Sequence, residues 1–221
     1  MIRAVLFDAV GTLIELREPV GETYARAAAE QGVEICPWRM GDAFRRIIAS
    51  AGPLVFPDAE PIELPALERG WWRQVVRSTF LAADSARRVP DFDACFEGLW
   101  RHFGSPAAWR LRDGAAEVLS RLRESGLRTG IVSNFDGRLP ALLQGLGLAA
   151  LVDAVVLPSD AGAAKPDARI FQLALRRVGA APSEAIFVGD DAEHDLEGAR
   201  EAGLKAVDAA ALATLRDLHV P

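Results

Sequence analysis

Polar residues with the chemistry to handle phosphate stand directly after, or in the loop after, four short apolar or strand-like runs. They are Asp8, the pair Ser133 and Asn134, Lys165, and the pair Asp190 and Asp191. In open parallel sheets, ligands bind beyond the carboxyl ends of the strands. If these runs are strands of one sheet, then carboxylates, a hydroxyl and an ammonium group meet at one edge. This set predicts a site for a phosphate group and a divalent cation.

The elements that would position these residues alternate in type. Residues 4–7 are a continuous apolar run, typical of a strand buried on both faces of a parallel sheet. From Arg112 onward, helix-like segments (115–124, 139–146, 168–178, 196–202) alternate with strand-like ones (128–132, 154–157, 185–188, 205–207). Such alternation indicates a parallel sheet flanked by helices. The predicted fold class is α/β, a doubly wound parallel sheet.

Between the first predicted strand and Arg112 the pattern changes to helices only. Helical periodicity covers residues 19–31, 38–51, 67–82 and 92–103, with loops rich in Pro and Gly between them. All five tryptophans lie between residues 38 and 109, and we interpret them as filling a small helical core. We therefore expect an α/β core made of residues 1–14 and 111–221, with a helical cap domain inserted at residues 15–110.

Composition excludes several classes of partner. The 221 residues are 50% hydrophobic and carry a formal net charge of −6, with Lys and Arg scattered along the chain. A phosphate backbone needs a cationic face, so we expect no nucleic acid partner. The apolar run near the N-terminus is too short for a signal peptide or a membrane span, which predicts a cytoplasmic protein with no membrane contact. Cys36 and Cys95 lie far apart and are interpreted as ordinary packing thiols.

Four strings in order along the chain carry a family resemblance. They are FDAVGTL at residues 7–13, VSN at 132–134, AKPD at 164–167, and VGDD at 188–191 followed by Asp195. Together they resemble the motifs of the haloacid dehalogenase-like superfamily, over the whole predicted core. The string GWW at 70–72 and SNFD at 133–136 resemble, within it, the branch named after haloacid dehalogenase-like hydrolase domain-containing protein 3.

The resemblance implies a nucleophilic mechanism. Asp8 would attack phosphorus and form an aspartyl phosphate, which water then hydrolyses. Attack by a carboxylate on a phosphate dianion needs cations that stabilise charge on the phosphoryl oxygens. Lys165 would supply one such charge. Ser133 would donate its hydroxyl, and Asn134 its backbone amide, to a phosphoryl oxygen of a small phosphorylated substrate.

The resemblance also implies a magnesium site. Mg²⁺ prefers hard oxygen ligands and keeps several waters, so few protein ligands suffice. The family pattern assigns these to Asp8, Asp190 and the backbone carbonyl of Val10. Asp195, or else Asp191, would contribute directly or through a water.

One position departs from the phosphatase pattern. Phosphatases of this superfamily usually carry a second aspartate two residues after the nucleophile, where this chain has Val10. Valine transfers no proton, so an acid–base contribution of roughly 10²- to 10⁴-fold is missing unless another group supplies it. Three hypotheses stay open: a weak or selective phosphatase, a catalytically idle module that binds phosphate and magnesium, and a 2-haloacid dehalogenase. The string at 188–191 with Asp195 favours the magnesium-binding versions over the last.

Overall fold

The computed structural model describes residues 1–220, which form the following strands and α-helices. The strands are β1 (Ala4–Phe7), β2 (Ile14–Leu16), β3 (Trp109–Leu111), β4 (Arg128–Val132), β5 (Ala154–Val156), β6 (Ala185–Gly189) and β7 (Lys205–Asp208). The α-helices are α1 (Val20–Ala29), α2 (Pro37–Ser50), α3 (Leu64–Ala83), α4 (Phe92–Phe103), α5 (Ala115–Glu124), α6 (Leu139–Gly145), α7 (Pro158–Ala161), α8 (Ala168–Val178) and α9 (Gly198–Glu201).

The main sheet is parallel, with β1 in its centre. In the described part of the chain its five strands run in the order β5-β4-β1-β6-β7. Phe7 at the end of β1 pairs in register with Ile131 of β4 on one side and with Val188 of β6 on the other. The chain moves outward from β1 through β4 to β5, then returns to the other side for β6 and β7. The predicted α/β doubly wound fold is confirmed, and β1 lies where the direction of winding changes.

Helix α8 illustrates how the sequence builds a helix that packs against this sheet. Its apolar side chains recur at helical spacing and bury one face, while Asp167 caps its first turn by accepting a hydrogen bond from the Arg169 amide. Phe171 on that face meets Phe187 of β6 edge-on, with ring centroids 5.1 Å apart. Gly179 ends the helix in the left-handed conformation that glycine adopts without strain.

The described residues divide into two compact units. The first contains residues Met1–Glu15, Leu54–Ala59 and Arg110 onward, and the second contains Leu16–Pro53 and Glu60–Trp109. The second unit holds α1 to α4 around an aromatic core, in which Tyr24 stacks on Phe80 with ring centroids 5.8 Å apart. The proposed bounds of an inserted domain, residues 15–110, stay a prediction.

Two predictions about side-chain burial are wrong. Trp38 is 71% exposed at the start of α2, so it does not belong to the helical core, whereas Trp72 and Trp100 do pack against that core. Cys36 is exposed and is not a packing thiol, while Cys95 is buried and burial raises the pKa of its thiol to about 11. A residue type alone therefore did not decide which side of a helix faces inward.

Two local features were not predicted. The segment after β6 begins as a π-helical turn, Ala192–Glu197, before it continues as α9, so helical structure starts earlier than residue 196. Strands β2 and β3 pair as a two-stranded ribbon, and two of the four boundaries between the units, at residues 15/16 and 109/110, fall within these strands. Among residues 1–220, no helix is long and apolar enough to cross a bilayer.

Candidate active site

A buried lysine lies between two buried carboxylates at the carboxyl edge of the sheet. The Lys165 ammonium nitrogen is 2.5 Å from a carboxylate oxygen of Asp8 and 2.5 Å from one of Asp195. The three residues are only 5%, 6% and 1% exposed, respectively. Desolvation makes buried charges costly even when they pair with each other, so the triad is a candidate for chemistry rather than a source of stability.

The strand order brings these side chains together. Asp8 is the first residue after the central strand β1, and its amide donates to the carbonyl of Val188 in the neighbouring β6. Lys165 stands in the loop before α8, where both its backbone polar groups bind the side chain of Asn134. Because Asn134 follows β4, the neighbour of β1 on its other side, the lysine is fixed relative to the nucleophile candidate by the sheet itself.

Asp190 completes the edge from the end of β6. Its carboxylate accepts a hydrogen bond of 2.8 Å from the hydroxyl of Thr12, which is fully buried. A β-carbon on Gly11 would lie 2.3 Å from an oxygen of Asp190, and Gly11 has a positive φ of 93°. Position 11 therefore requires glycine, both for its backbone conformation and to leave room for this carboxylate.

Asp195 is held by the π-helical turn. One of its oxygens accepts from the backbone amides of Asp190 and Asp191, at 3.1 and 3.2 Å, and the other meets Lys165. A β-carbon on Gly189 would approach an Asp195 oxygen to 2.5 Å. The carboxylate thus orders both the lysine and the backbone that carries Asp190.

Burial and like charge shift the protonation of this site. Burial, reinforced by the charge of Asp195 and opposed by Lys165, raises the pKa of Asp8 to about 6. Burial alone would lower the pKa of Lys165, but the carboxylates of Asp8 and Asp195 outweigh it and raise that pKa. Burial and Asp195 also raise the pKa of Asp190, against the hydrogen bond from Thr12. The site holds an excess of negative charge that a bound cation would relieve.

The oxygens available here suit a divalent cation. Carboxylate oxygens of Asp8, Asp190 and Asp195 all lie within 4.8 Å of one another, with Asp190 open to solvent. Hard carboxylate oxygens, one of them at the surface, match the preference of Mg²⁺ for few protein ligands and several waters. The absence of a side chain at Gly11, beside the Asp190 carboxylate, is consistent with a cation site there.

The remaining predicted site residues lie at the same edge with different contacts. Ser133, 3% exposed, directly follows β4, and its hydroxyl accepts from the amide of Phe135 at 3.3 Å. Val10 lies in the turn after β1 with a side chain 38% exposed. Asp191 caps the π-helical turn by accepting from the amides of Glu193 and His194. These contacts give Asp191 the role of a helix cap.

Two residues with contacts in the site were missed. Thr12 was part of a quoted string, but its hydroxyl had no assigned partner until the fold placed Asp190 beside it. Arg112 reaches the same turn, donating to the carbonyl of Gly11. The Gly-Thr pair that follows Asp8 in the first motif was a usable signal for Thr12, whereas Arg112, 101 residues from Gly11 in the sequence, carried none.

Comparisons with known proteins agree with this geometry. A family model described as haloacid dehalogenase-like hydrolase matches residues 2–203. Haloacid dehalogenase-like hydrolase domain-containing protein 3 of Homo sapiens is 38% identical over 206 residues, covering 92% of this chain and 80% of that protein. The HAD phosphatase of Thermococcus onnurineus is 25% identical with a TM-score of 0.63, covering 94% of this chain and 86% of that one. The L-2-haloacid dehalogenase of Xanthobacter autotrophicus, at 22% identity and a TM-score of 0.69 over 96% of this chain and 79% of that one, shares the fold. The sequence match and the arrangement at the sheet edge place the chain in the haloacid dehalogenase-like hydrolase family.

Proposed function

We propose that the protein is a magnesium-dependent phosphatase that hydrolyses a small phosphorylated metabolite through an aspartyl phosphate on Asp8. The observation that carries the proposal is the cluster of three carboxylates around the edge of the sheet, with Lys165 bonded to two of them. A net charge of −6 argues against a nucleic acid partner and leaves a small molecule as the expected substrate.

Asp8 has the properties of a nucleophile in this reaction. Its carboxylate oxygen would form a bond to phosphorus while the bond from phosphorus to the leaving oxygen breaks. The hydrogen bond from Lys165 holds the carboxylate in one orientation. Water then attacks the aspartyl phosphate, releasing inorganic phosphate and regenerating Asp8.

Lys165 and the segment after β4 would hold the phosphoryl group. The ammonium group offsets negative charge that builds up on the phosphoryl oxygens in the transition state. The hydroxyl of Ser133 and the backbone amide of Asn134 are the donors proposed for one phosphoryl oxygen. The side chain of Asn134 has a separate part, because it fixes the backbone on both sides of Lys165.

Asp8, Asp190 and the carbonyl of Val10 are the proposed Mg²⁺ ligands, with Asp195 contributing through a water. Asp195 already accepts from Lys165 and two backbone amides, which supports the indirect contact. When bound, the cation would neutralise the carboxylates and the transferred phosphoryl group.

Val10 restricts the substrates that such a phosphatase could hydrolyse, because its side chain cannot protonate the leaving oxygen at the position where the family usually has an acid. A phosphatase of this kind would favour substrates whose leaving groups depart without protonation, such as acyl phosphates. An idle module that binds phosphate and magnesium is the alternative that Val10 favours. A 2-haloacid dehalogenase, which needs no leaving-group acid, has against it the exposed carboxylate of Asp190.

A substrate panel with two controls tests the proposal. We expect phosphate release from acetyl phosphate, aryl phosphates and phosphorylated metabolites in millimolar Mg²⁺, and none in chelator. The matched control is Asp8→Asn, which removes the nucleophile but keeps a side chain of the same shape beside Lys165. Release of chloride from 2-chloropropionate in chelator would support the dehalogenase instead.

Binding data separate the two remaining alternatives. Magnesium that binds only the folded state at about 100 times its dissociation constant should add roughly 2.7 kcal/mol to the free energy of unfolding. We expect this gain in the wild type and not in Asp190→Ala. The gain without any turnover would favour the idle module, and no gain in either protein would contradict the metal site.

A further inference from the structure

Arg112 ties three segments together at the carboxyl edge of the sheet. One terminal nitrogen of its guanidinium donates to the carbonyl of Gly11 at 3.2 Å. The other donates to the carbonyls of Ala209 and Leu212, at 2.6 and 3.1 Å, just after β7. Its backbone amide donates to the carbonyl of Leu13 at 3.0 Å. Arg112 therefore binds the turn after β1 through both its side chain and its backbone amide, and it links that turn to the segment after β7.

The turn it binds contains the carbonyl of Val10. The amide of Gly11 donates to the carbonyl of Ile14 at 2.8 Å, which fixes the peptide plane between Val10 and Gly11. In a planar trans peptide the carbonyl points opposite to the amide, so the Val10 oxygen is directed away from Ile14. The next peptide plane is the one that Arg112 holds through the Gly11 carbonyl.

Only the backbone dihedral angles of Gly11 separate these two planes. Gly11 has a φ of 93°, and glycine is the residue whose dihedral angles sterics restrain least. A hydrogen bond on each side of Gly11 supplies the restraint that a side chain would give elsewhere. Preorganised ligands bind a cation more tightly because less freedom is lost on binding.

We propose that Arg112 is a positioning residue for the divalent cation: by holding the Gly11 carbonyl, it restrains the turn that carries the Val10 carbonyl and the space beside Asp190. The inference rests on the proposed function, since it concerns the same magnesium site. Arg112 itself contacts neither the substrate nor the cation. Its replacement should therefore change the affinity for Mg²⁺ more than the rate of the chemical step.

The test compares two arginines that bind backbone carbonyls in the same way. Arg121 donates to the carbonyls of Arg216 and Leu218, at 3.0 and 2.7 Å, which fastens the C-terminal segment to α5. Lysine keeps the charge of either residue but loses the planar fork that serves several acceptors at once. Arg112→Lys and Arg121→Lys thus lose similar bonds in different places, and only the first faces the turn after β1.

The measurement is the dissociation constant of Mg²⁺ by calorimetry on the folded proteins, together with the Mg²⁺ concentration for half-maximal rate. Replacement of residues that orient metal ligands typically costs about 10- to 100-fold in affinity. We expect both quantities to rise about tenfold or more in Arg112→Lys, with the rate recovered at saturating Mg²⁺. Both should match the wild type in Arg121→Lys.

The other outcomes separate a failure of this inference from a failure of the proposed function. If Arg112→Lys binds Mg²⁺ like the wild type, Arg112 is only structural, although the proposed function stands. If neither Arg112→Lys nor Arg112→Gln folds while Arg121→Lys does, the role is again structural. If the wild type binds Mg²⁺ without turnover, the phosphatase proposal fails while the affinities still test Arg112. If the wild type binds no Mg²⁺, both proposals fail.

Discussion

The two units of the molecule differ in where their oppositely charged side chains meet. In the α/β unit, Asp8, Lys165 and Asp195 are buried together at the edge of the sheet. In the helical unit Glu68 is also buried, but ion pairs such as that of Arg26 with Glu18, whose side chains are 50% and 36% exposed, lie at the surface. Buried charge usually reduces stability, whereas buried aromatic rings add to it. The α/β unit thus gives up stability at one edge, and the helical unit depends on packing.

Replacement of Asp8, the proposed nucleophile, should have the largest effect on activity. Asp8→Asn keeps the volume of the side chain but cannot attack phosphorus, so turnover should fall by more than about a thousandfold. The unfolding transition should remain cooperative, because the α/β unit does not depend on this charge. Turnover numbers and urea unfolding curves for the two proteins provide the check. Turnover that survives in Asp8→Asn would overturn the assignment of the nucleophile.

The absence of an acid at position 10 should appear as a steep dependence on the leaving group. The wild type should turn over acyl and activated aryl phosphates far better than alkyl phosphates, whose alkoxides leave poorly. Val10→Asp should recover part of the roughly 10²- to 10⁴-fold acid–base contribution for alkyl phosphates. The gain is partial because a new carboxylate beside Asp8 adds repulsion. A rate independent of leaving-group pKa in the wild type would mean that another residue is the acid.

The helical unit should respond to lost packing instead. Phe96→Ala removes a ring that is 2% exposed and should lower the free energy of unfolding by about 3–5 kcal/mol. Trp38→Ala is the matched control, since it removes a larger ring that is 71% exposed from the same unit. Denaturant titrations of both variants give the comparison. Equal losses from the two would contradict the assignment of the core.

The loss of stability caused by the buried Asp8 carboxylate should depend on pH. The pKa of Asp8 is raised to about 6, so between its ordinary value and 6 the folded state binds more protons than the unfolded state. Asp8 therefore reduces stability increasingly as pH rises through this window, and fully above it. In chelator, Asp8→Asn should gain stability relative to the wild type by up to about 3 kcal/mol between pH 4 and pH 7.5. A difference between the two proteins that does not change with pH would contradict this origin.

The sequence predicted the strands of the main sheet because each is short, apolar and flanked by turn residues. The rule that ligands bind beyond the carboxyl ends of strands then located Asp8, Lys165 and Asp190 from the sequence alone. The cluster that they form with Asp195 follows from the position of β1 between β4 and β6. Local pattern and topology were sufficient for this part of the site.

Contacts between distant segments were not predictable in the same way. Arg112 donates to the backbone carbonyls of Gly11, Ala209 and Leu212, which follow different strands of the sheet. A single sequence gives no signal for hydrogen bonds between such distant segments. The ribbon of β2 and β3 was missed because each of its strands has only three residues, too few for a pattern to show. The exposure of Trp38 shows that tryptophan content locates a helical region without locating its core.

The contrast between the two cysteines makes a labelling strategy available. The sequence has two cysteines, of which Cys36 is exposed in the helical unit and Cys95 is buried. With its pKa raised to about 11 by burial, Cys95 stays a thiol at neutral pH and lacks the reactive thiolate. A maleimide dye should therefore couple at Cys36 alone in the native protein without mutagenesis. A single dye placed beside Trp38 would report on the helical unit separately from the unit that holds the carboxylates.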